Sequence, residues 1–198
     1  MSLRKLLQHR GTPLFATALC SVLLLPAHAG GLDQQLSPAE KHALRDFSKR
    51  VKDYVANEKA LPVQKQKPTT DVAELEERRV ALRLALQQSR ANAKQGDIFT
   101  PDVSRVFRKL LSETLAGPDG AKIKVSLEHA EPTAPPNFSV NSPFPNTNGQ
   151  PIQSVPASLL GNLPLLPKGL DYCLASKTLA LRDSNANMVV DYLPNALP

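Results

Sequence analysis

The side chains best suited to bind a metal ion lie in a polar run near the end of the sequence. Their spacing matches four ligand positions of an EF-hand calcium loop: Asp183, Asn185, Asn187 and Asp191. Carboxylate and amide oxygens are the donors that Ca²⁺ prefers. Such a loop also needs a glycine and a bidentate glutamate, but Met188 and Pro194 stand at those positions. These departures favour a plain polar turn, and calcium binding is the alternative hypothesis.

Acid–base chemistry has two candidate residues after position 29, His42 and His129. Neither has a cysteine, histidine or acid at the spacing of zinc ligands. A Ser-His-Asp set can be assembled from distant parts of a chain, so a small periplasmic hydrolase is one alternative function. The sequence contains no G-x-S-x-G elbow, Walker loop, dinucleotide-binding glycine motif or H-E-x-x-H motif. We therefore predict no catalytic residue, no cofactor and no metal ligand apart from the calcium-like set.

The first 29 residues have the pattern of a secretory signal peptide. Arg4, Lys5 and Arg10 form a basic start, Leu14–Leu25 is an apolar run, and Ala27–Ala29 has the A-x-A form of a cleavage site. The apolar run is shorter than the about 20 residues that a membrane-spanning helix needs. We expect cleavage after residue 29 and a periplasmic or secreted protein. An uncleaved segment that anchors a helical stalk in the envelope is a further alternative.

Charge and cysteine content narrow the class of partner. The 24 basic and 18 acidic residues give a net charge of +6, and three of the basic residues belong to the predicted signal peptide. The other basic residues are interleaved with acids, whereas nucleic-acid binding needs a clustered basic patch. We therefore predict no nucleic-acid partner. Cys173 is the single cysteine after residue 29, so we expect a buried thiol, with intermolecular pairing or reactivity as the alternative.

Residues 30–116 should form a helical region. Ser37–Glu40 supplies a capping box for a first helix, which should end near Ala60. Thr100 and Pro101 supply the cap and first turn of a third helix, and the turn at Gly117–Gly120 ends it. Apolar residues recur every three or four positions in both helices, which predicts one buried face for each. These residues are Leu44, Phe47, Val51 and Tyr54 in the first helix and Val103, Phe107, Leu110 and Leu111 in the third.

A second helix is predicted from Asp71 to Lys94, with Thr70 as its cap. Its acids cluster in the first turns, where they suit the helix dipole and do not require a catalytic role; they include Glu74, Glu76 and Glu77. Its apolar stripe is formed by Val72, Leu75, Leu82 and Leu86. The first and second helices should pair as a helical hairpin.

A turn and a strand are predicted for residues 117–131, because polar and apolar side chains alternate over Lys122–Glu128. Residues 132–167 contain nine prolines, which prevent regular helix and central-strand pairing over most of this length. Phe138–Val140 is a candidate edge strand and Ser154–Leu163 a candidate short helix. An ordered strap and a flexible linker are the two interpretations. The strap is favoured by six apolar anchors: Phe138, Phe144, Leu159, Leu160, Leu163 and Leu166.

Residues 168–198 should form antiparallel strands, in the apolar runs Leu170–Ala175, Thr178–Leu181 and Met188–Leu193. Ser176-Lys177 is short enough for a tight hairpin, and Asp183–Asn187 suits a polar loop. Side chains two positions apart share a face of a strand. This rule groups Tyr172 with Leu174, Leu179 with Leu181, and Met188 with Val190 and Tyr192.

These elements predict an α+β protein in which residues 30–198 form one domain. A helical hairpin and a third helix should pack on a small antiparallel sheet, with the proline-rich strap between them in sequence. Since no catalytic motif is present, we expect a non-catalytic role: binding an envelope protein or a ligand, through exposed anchors of the strap. The membrane would be contacted only through the signal segment if it stays uncleaved. The oligomeric state is left open.

Three segments carry a resemblance to known proteins: AKQGDIFTPDVSRVFRKLL, GPDGAKI and LPKGLDYCLASKTLALRDSNANMVVDYLPNALP. With them the chain resembles a group of small secreted proteins of soil bacteria that have no assigned function. The last thirty residues are also similar to the C-terminal strand pair of small periplasmic proteins, some of which are linked to nickel and cobalt tolerance. The scarcity of histidine departs from what metal handling requires. Neither resemblance implies a catalytic residue.

Overall fold

The computed structural model describes residues 36–65, 69–129, 137–145 and 155–198. The predicted signal peptide, its cleavage site and parts of the predicted strap lie outside these residues. Within them, five α-helices precede a three-stranded antiparallel sheet, so the predicted α+β class is confirmed. None of the helices in these ranges is both long and apolar enough to cross a membrane.

The helices α1 (Pro38–Ala60) and α3 (Pro101–Ala116) begin and end as predicted. The Ser37 hydroxyl accepts the Glu40 N–H, and the Glu40 carboxylate accepts the Ser37 N–H at 2.7 Å, which forms the predicted capping box. The Thr100 hydroxyl caps α3. α1 packs most extensively on α3. Rings from both helices, from the loop before α3 and from the sheet form the centre of the core, namely those of Phe47, Phe107, Phe99 and Tyr172.

Helix α2 spans Val72–Ser89 and is shorter than predicted. Its cap is Asp71 and not Thr70, because the Asp71 carboxylate accepts the Glu74 N–H at 3.0 Å. The predicted end at Lys94 is wrong. The backbone leaves helical geometry at Arg90, whose guanidinium donates hydrogen bonds to the strap and to the sheet. These tertiary bonds outweigh the helix propensity of the residues that follow.

The predicted strand at Lys122–Glu128 is wrong, because Gly120–His129 forms a helix, α4. In a helix Ile123 and Leu127 are one turn apart, and both pack on the core, whereas Val125 is 52% exposed. Two residues of the alternating pattern, Ile123 and Leu127, are therefore also spaced as neighbours on one face of a helix. Gly120 permits the tight connection from α3, since a β-carbon there would lie 2.0 Å from the Leu115 carbonyl oxygen.

The sheet is an antiparallel meander in the order β1 (Leu170–Ala175), β2 (Thr178–Asp183) and β3 (Met188–Leu193). The predicted strands and the hairpin at Ser176-Lys177 are confirmed, and β2 continues two residues further than predicted. Ser176 adopts a φ of +52°, as a tight turn requires.

A bulge in the β2–β3 pair changes which residues of β3 face the helices. Leu181 pairs with Asp191 and Arg182 with Val189, so Val190 is the extra residue. Val190 lies in the main core with Met188, as predicted, but the predicted position of Tyr192 is wrong. Tyr192 packs on the opposite face, with Cys173, Ala180 and Val189 (a set that also contains Phe144).

Residues 137–145 cover the face of the sheet that is turned away from the helices. Phe138 and Phe144 lie 5.6 Å apart between ring centres, and Phe138 lies 6.0 Å from Tyr192. The predicted edge strand Phe138–Val140 is wrong. Instead the Asn141 N–H donates to the Val189 carbonyl of β3, and the Ser142 carbonyl accepts the Val189 N–H; the Phe144 N–H donates to Asn187, just before β3. Pro143 has no N–H to donate, so no regular strand forms.

The second described part of the strap contains a one-turn helix, α5 (Ala157–Leu160). The longer helix predicted over Ser154–Leu163 is wrong, because Gly161 already ends it; Ser154 itself lies outside the described residues. All six predicted anchors are buried or half-buried against this chain. These six anchors are therefore not exposed, and partner binding through the strap stays an untested prediction.

Candidate functional site

Asp183, the first residue of the calcium-like set, is fully buried and already has protein donors. The Tyr54 hydroxyl donates to its Oδ2 at 2.6 Å, and the Ala186 N–H donates to its Oδ1 at 2.8 Å. Burial, with the nearby Asp183 carboxylate as a second cause, raises the pKa of Tyr54 well above its ordinary value. The phenol therefore stays protonated and serves as a fixed donor.

Arg90 lies over the ring of Tyr54, with 4.9 Å between the guanidinium carbon and the ring centre. Its nitrogens donate to Asn141 Oδ1 at 2.7 Å and to the Val190 carbonyl at 3.1 Å, and the Asn141 amide donates back to the Arg90 carbonyl. Burial lowers the pKa of Arg90. These bonds join the end of α2, the strap and β3.

Asp191 is fully buried and accepts four backbone hydrogen bonds. They come from Gly96, Ile98 and Phe99 at 2.8–2.9 Å and from Tyr192 at 2.8 Å. The bulge at Val190 turns Asp191 toward the loop between α2 and α3. This carboxylate holds the loop that leads into α3, and both of its oxygens accept hydrogen bonds from backbone N–H groups.

The remaining two residues of the calcium-like set also have separate partners. The Asn185 amide donates to Glu58 at 2.9 Å, and Asn187 Oδ1 accepts two hydrogen bonds from Arg182. The four side chains are thus directed to different partners and not to a common centre. In the described parts of the chain, no group of three or more His, Cys, Asp or Glu residues could hold a metal ion.

The two histidines lie in different surroundings, and both are exposed. His42 lines a cleft of about 270 Å³ with Glu40, Asp102 and Arg105, among residues that include no serine. His129 Nδ1 lies 2.7 Å from the Val125 carbonyl at the end of α4. The described residues therefore bring neither histidine together with a serine and an aspartate.

Cys173 is buried on the strap side of the sheet, among Phe144, Ala180 and Val189. Burial raises the pKa of its thiol to about 11. A thiol in this environment is protonated at neutral pH and reacts slowly. The expectation of a buried thiol is confirmed.

The outward face of α2 carries apolar side chains that other described residues leave partly uncovered. α2 buries Leu82 and Leu86 against the core, and its opposite side presents an open groove of about 520 Å³. We call this side the α2 groove; it is lined by Ala73, Glu76, Glu77, Val80, Ala81 and Leu84. Leu84 is 53% exposed, and Val72 and Leu75 at the start of the helix are 79% and 45% exposed.

The groove was not predicted from the sequence, because the apolar residues of α2 were assigned to a single stripe. Val72, Leu75, Leu82 and Leu86 do share one side of α2, but only the last two are buried. The available signal was the run Val80–Leu86, in which every residue except Arg83 is apolar. One face of a helix cannot hold six of seven consecutive residues, so some of them had to face outward.

Comparisons with known proteins give no family for this chain. No protein-family model, no curated protein and no solved structure matches it.

Proposed function

We propose that this chain is an exported, non-catalytic protein of the cell envelope that binds a partner protein through the α2 groove. The observation that carries the proposal is that α2 is apolar on two opposite sides, only one of which is covered by described residues. The apolar side of an amphipathic helix normally packs against neighbouring structure. A solvated helix has no need of Val80 and Leu84 on its outer side.

The groove has the form that accepts a helix. Ala73, Glu77, Val80 and Leu84 are spaced by four, three and four residues, so they lie in one row over about 16 Å. A row of this length holds about three turns of a second helix, the usual arrangement when an amphipathic helix lies in an apolar groove.

Charge further specifies the partner. Glu76 and Glu77 line the groove, and the Glu76 side chain is 57% exposed beside Arg79. We therefore propose an amphipathic helix of an envelope protein that carries basic residues beside its apolar stripe. Basic side chains would pair with these carboxylates at the rim, which favours orientation and association rate more than affinity.

A photo-crosslinking experiment in expressing cells tests this proposal. The photoreactive residue p-benzoylphenylalanine replaces Leu84 in one variant and Val125 in the control. Val125 is 52% exposed on α4 and therefore has a similar exposure outside the groove. We expect a defined adduct with one protein from the Leu84 variant only, identified by mass spectrometry and confirmed with purified partner. Leu84→Glu should weaken that binding by about tenfold or more, and Val125→Glu should not.

Adducts of equal yield at both positions, or none at Leu84, would overturn the α2 groove as the binding surface. Adducts formed only between two copies of this chain would overturn the claim of a different partner protein. Export is tested separately by the mass of the protein recovered from the periplasm or the medium. A chain that begins at Gly30 supports cleavage after Ala29, and a full-length chain retained in the membrane fraction contradicts it.

A further inference from the structure

α1 carries a row of cations on its outer side, which we call the α1 cationic stripe. It consists of Lys41, Arg45, Lys49, Lys52 and Lys59. At about 100° per residue, these five positions fall within an arc of about 80°, over a length of about 27 Å. All but Lys41, which is half-buried, are exposed.

The acids of α1 lie outside that arc, so the charges that alternate in sequence are separated in space. Glu40 is turned to Lys109 of α3 at 2.7 Å, and Glu58 is buried beside Asn185. Asp46 pairs with Arg50, on a different side of the helix. Asp53 lies at the margin of the stripe, where it pairs with Lys49. The stripe is therefore predominantly positive over several turns of the helix. This separation is not evident in the sequence, where basic and acidic residues alternate.

An open groove of about 510 Å³ follows the stripe. Leu36 and Leu44 lie beside its cations, and both are half-buried. Lys and Arg side chains clustered on one face of a helix are attracted to an anionic membrane surface. A straight row on a single helix also suits a flat surface, since all of its charges can approach one plane.

We infer that the α1 cationic stripe docks this protein on a membrane surface that contains anionic phospholipid. The inference rests on the proposed export, because export brings the chain to the outer surface of the membrane that it has crossed. The α2 groove lies on a different helix from the stripe.

The test uses the processed protein recovered from the periplasm or medium, whose mass is measured first. This mass establishes export independently of any lipid result. The protein is then sedimented with vesicles of phosphatidylcholine alone and with vesicles of about equal parts phosphatidylglycerol and phosphatidylcholine. We expect binding to the anionic vesicles only, and about tenfold weaker binding when salt rises from about 0.05 M to about 0.5 M.

Two variants of equal charge separate the stripe from the net charge of the protein. Arg45→Gln with Lys52→Gln removes two cations of the stripe and should weaken vesicle binding by about tenfold. Lys94→Gln with Lys124→Gln removes two exposed lysines elsewhere and should leave binding within about twofold. Unfolding curves of both variants show whether the fold is kept.

Three results would overturn the inference. The first is equal binding to both kinds of vesicle or to neither, and the second is an equal loss of binding in the two variants. The third is tighter binding to a nucleic-acid duplex than to the anionic vesicles, which would indicate a different polyanion. Inorganic phosphate is added as a competitor, and we expect it to leave binding unchanged beyond its ionic strength. Displacement at low concentration would indicate a single-phosphate site and contradict docking on a surface.

Discussion

Tyr54 of α1 and Asp183 of β2 form a buried hydrogen bond of 2.6 Å, although 129 positions separate them in the sequence. The carboxylate is fully buried, and its second oxygen accepts the Ala186 N–H. The phenol therefore does more than fill space: it supplies a donor to a charge that water does not reach. A polar residue that looked like a metal ligand in the sequence instead joins the helices to the sheet.

Removal of this donor should destabilise the protein. In Tyr54→Phe the buried carboxylate loses one partner, which should lower the free energy of unfolding by about 2 kcal/mol. The matched control is Tyr172→Phe, because the Tyr172 hydroxyl donates to a neutral acceptor, the Pro164 carbonyl, at 3.0 Å. We expect about 1 kcal/mol for the control. Urea unfolding measures both values, and equal losses would contradict a special role for the Asp183 charge.

Asp191 should contribute more than any other carboxylate to the loop between α2 and α3. In Asp191→Asn an NH₂ group would face backbone N–H groups, and the loss should be about 3 kcal/mol. Amide hydrogen exchange at Gly96, Ile98 and Phe99 should accelerate together, since all three donate to this side chain. Asp171→Asn on the exposed side of β1 is the control, with little effect expected. Unchanged amide exchange at these three residues would contradict the role of Asp191 in holding the loop.

The two sides of α2 should differ in stability measurements. Leu86 is fully buried, so Leu86→Ala should cost about 2–5 kcal/mol through lost contacts and a cavity. Leu84→Ala changes the same number of atoms on the outer side and should cost less than about 1 kcal/mol. Thermal or urea unfolding of the isolated protein distinguishes these values. A large loss in Leu84→Ala would mean that its outer side is covered within this chain.

The capping box of α1 predicts an acid-dependent loss of stability. The hydrogen bond from Lys109, followed by the Ser37 N–H, lowers the pKa of Glu40 from 4.5 to about 2. Because the folded pKa is the lower one, the unfolded state binds more protons between these values. The contribution of Glu40 is therefore complete above about pH 4.5 and is lost as the pH falls toward 2.

Comparison with Glu40→Gln isolates this contribution. We expect the unfolding midpoints of the wild type and Glu40→Gln to differ at neutral pH and to converge as the pH approaches 2. Glu77→Gln on α2 controls for the loss of one negative charge. A difference that stays constant down to pH 2 would contradict the low pKa of Glu40.

Local signals in the sequence predict the elements whose ends are determined locally. The caps at Ser37 and Thr100, the glycine after α3 and the hairpin at Ser176-Lys177 are examples, and each is confirmed. These features depend on residues within about four positions of one another, so a single sequence contains the information.

Several of the errors occur where distant residues decide the outcome. The end of α2 depends on bonds from Arg90 to Asn141 and Val190, which no nearby residue announces. The position of Tyr192 depends on a bulge opposite Leu181. In the same way, the α2 groove is visible only once Leu82 and Leu86 are known to be the covered side, because the sequence places apolar residues on two opposite sides of this helix.

The hydrogen bonds accepted by Asp183 and Asp191 also bear on when, during synthesis, the helices can be joined to the sheet. Tyr54 and the amides of residues 96–99 are made about 90 or more positions before the carboxylates that bind them. A nascent chain that ends before Asp183 therefore has helices without their anchoring acceptors. We expect these helices to gain their full stability only after the sheet has been made, because the buried carboxylates belong to it. Under the export proposed above, this dependence on the last two strands would help to keep the chain unfolded until it has crossed the membrane.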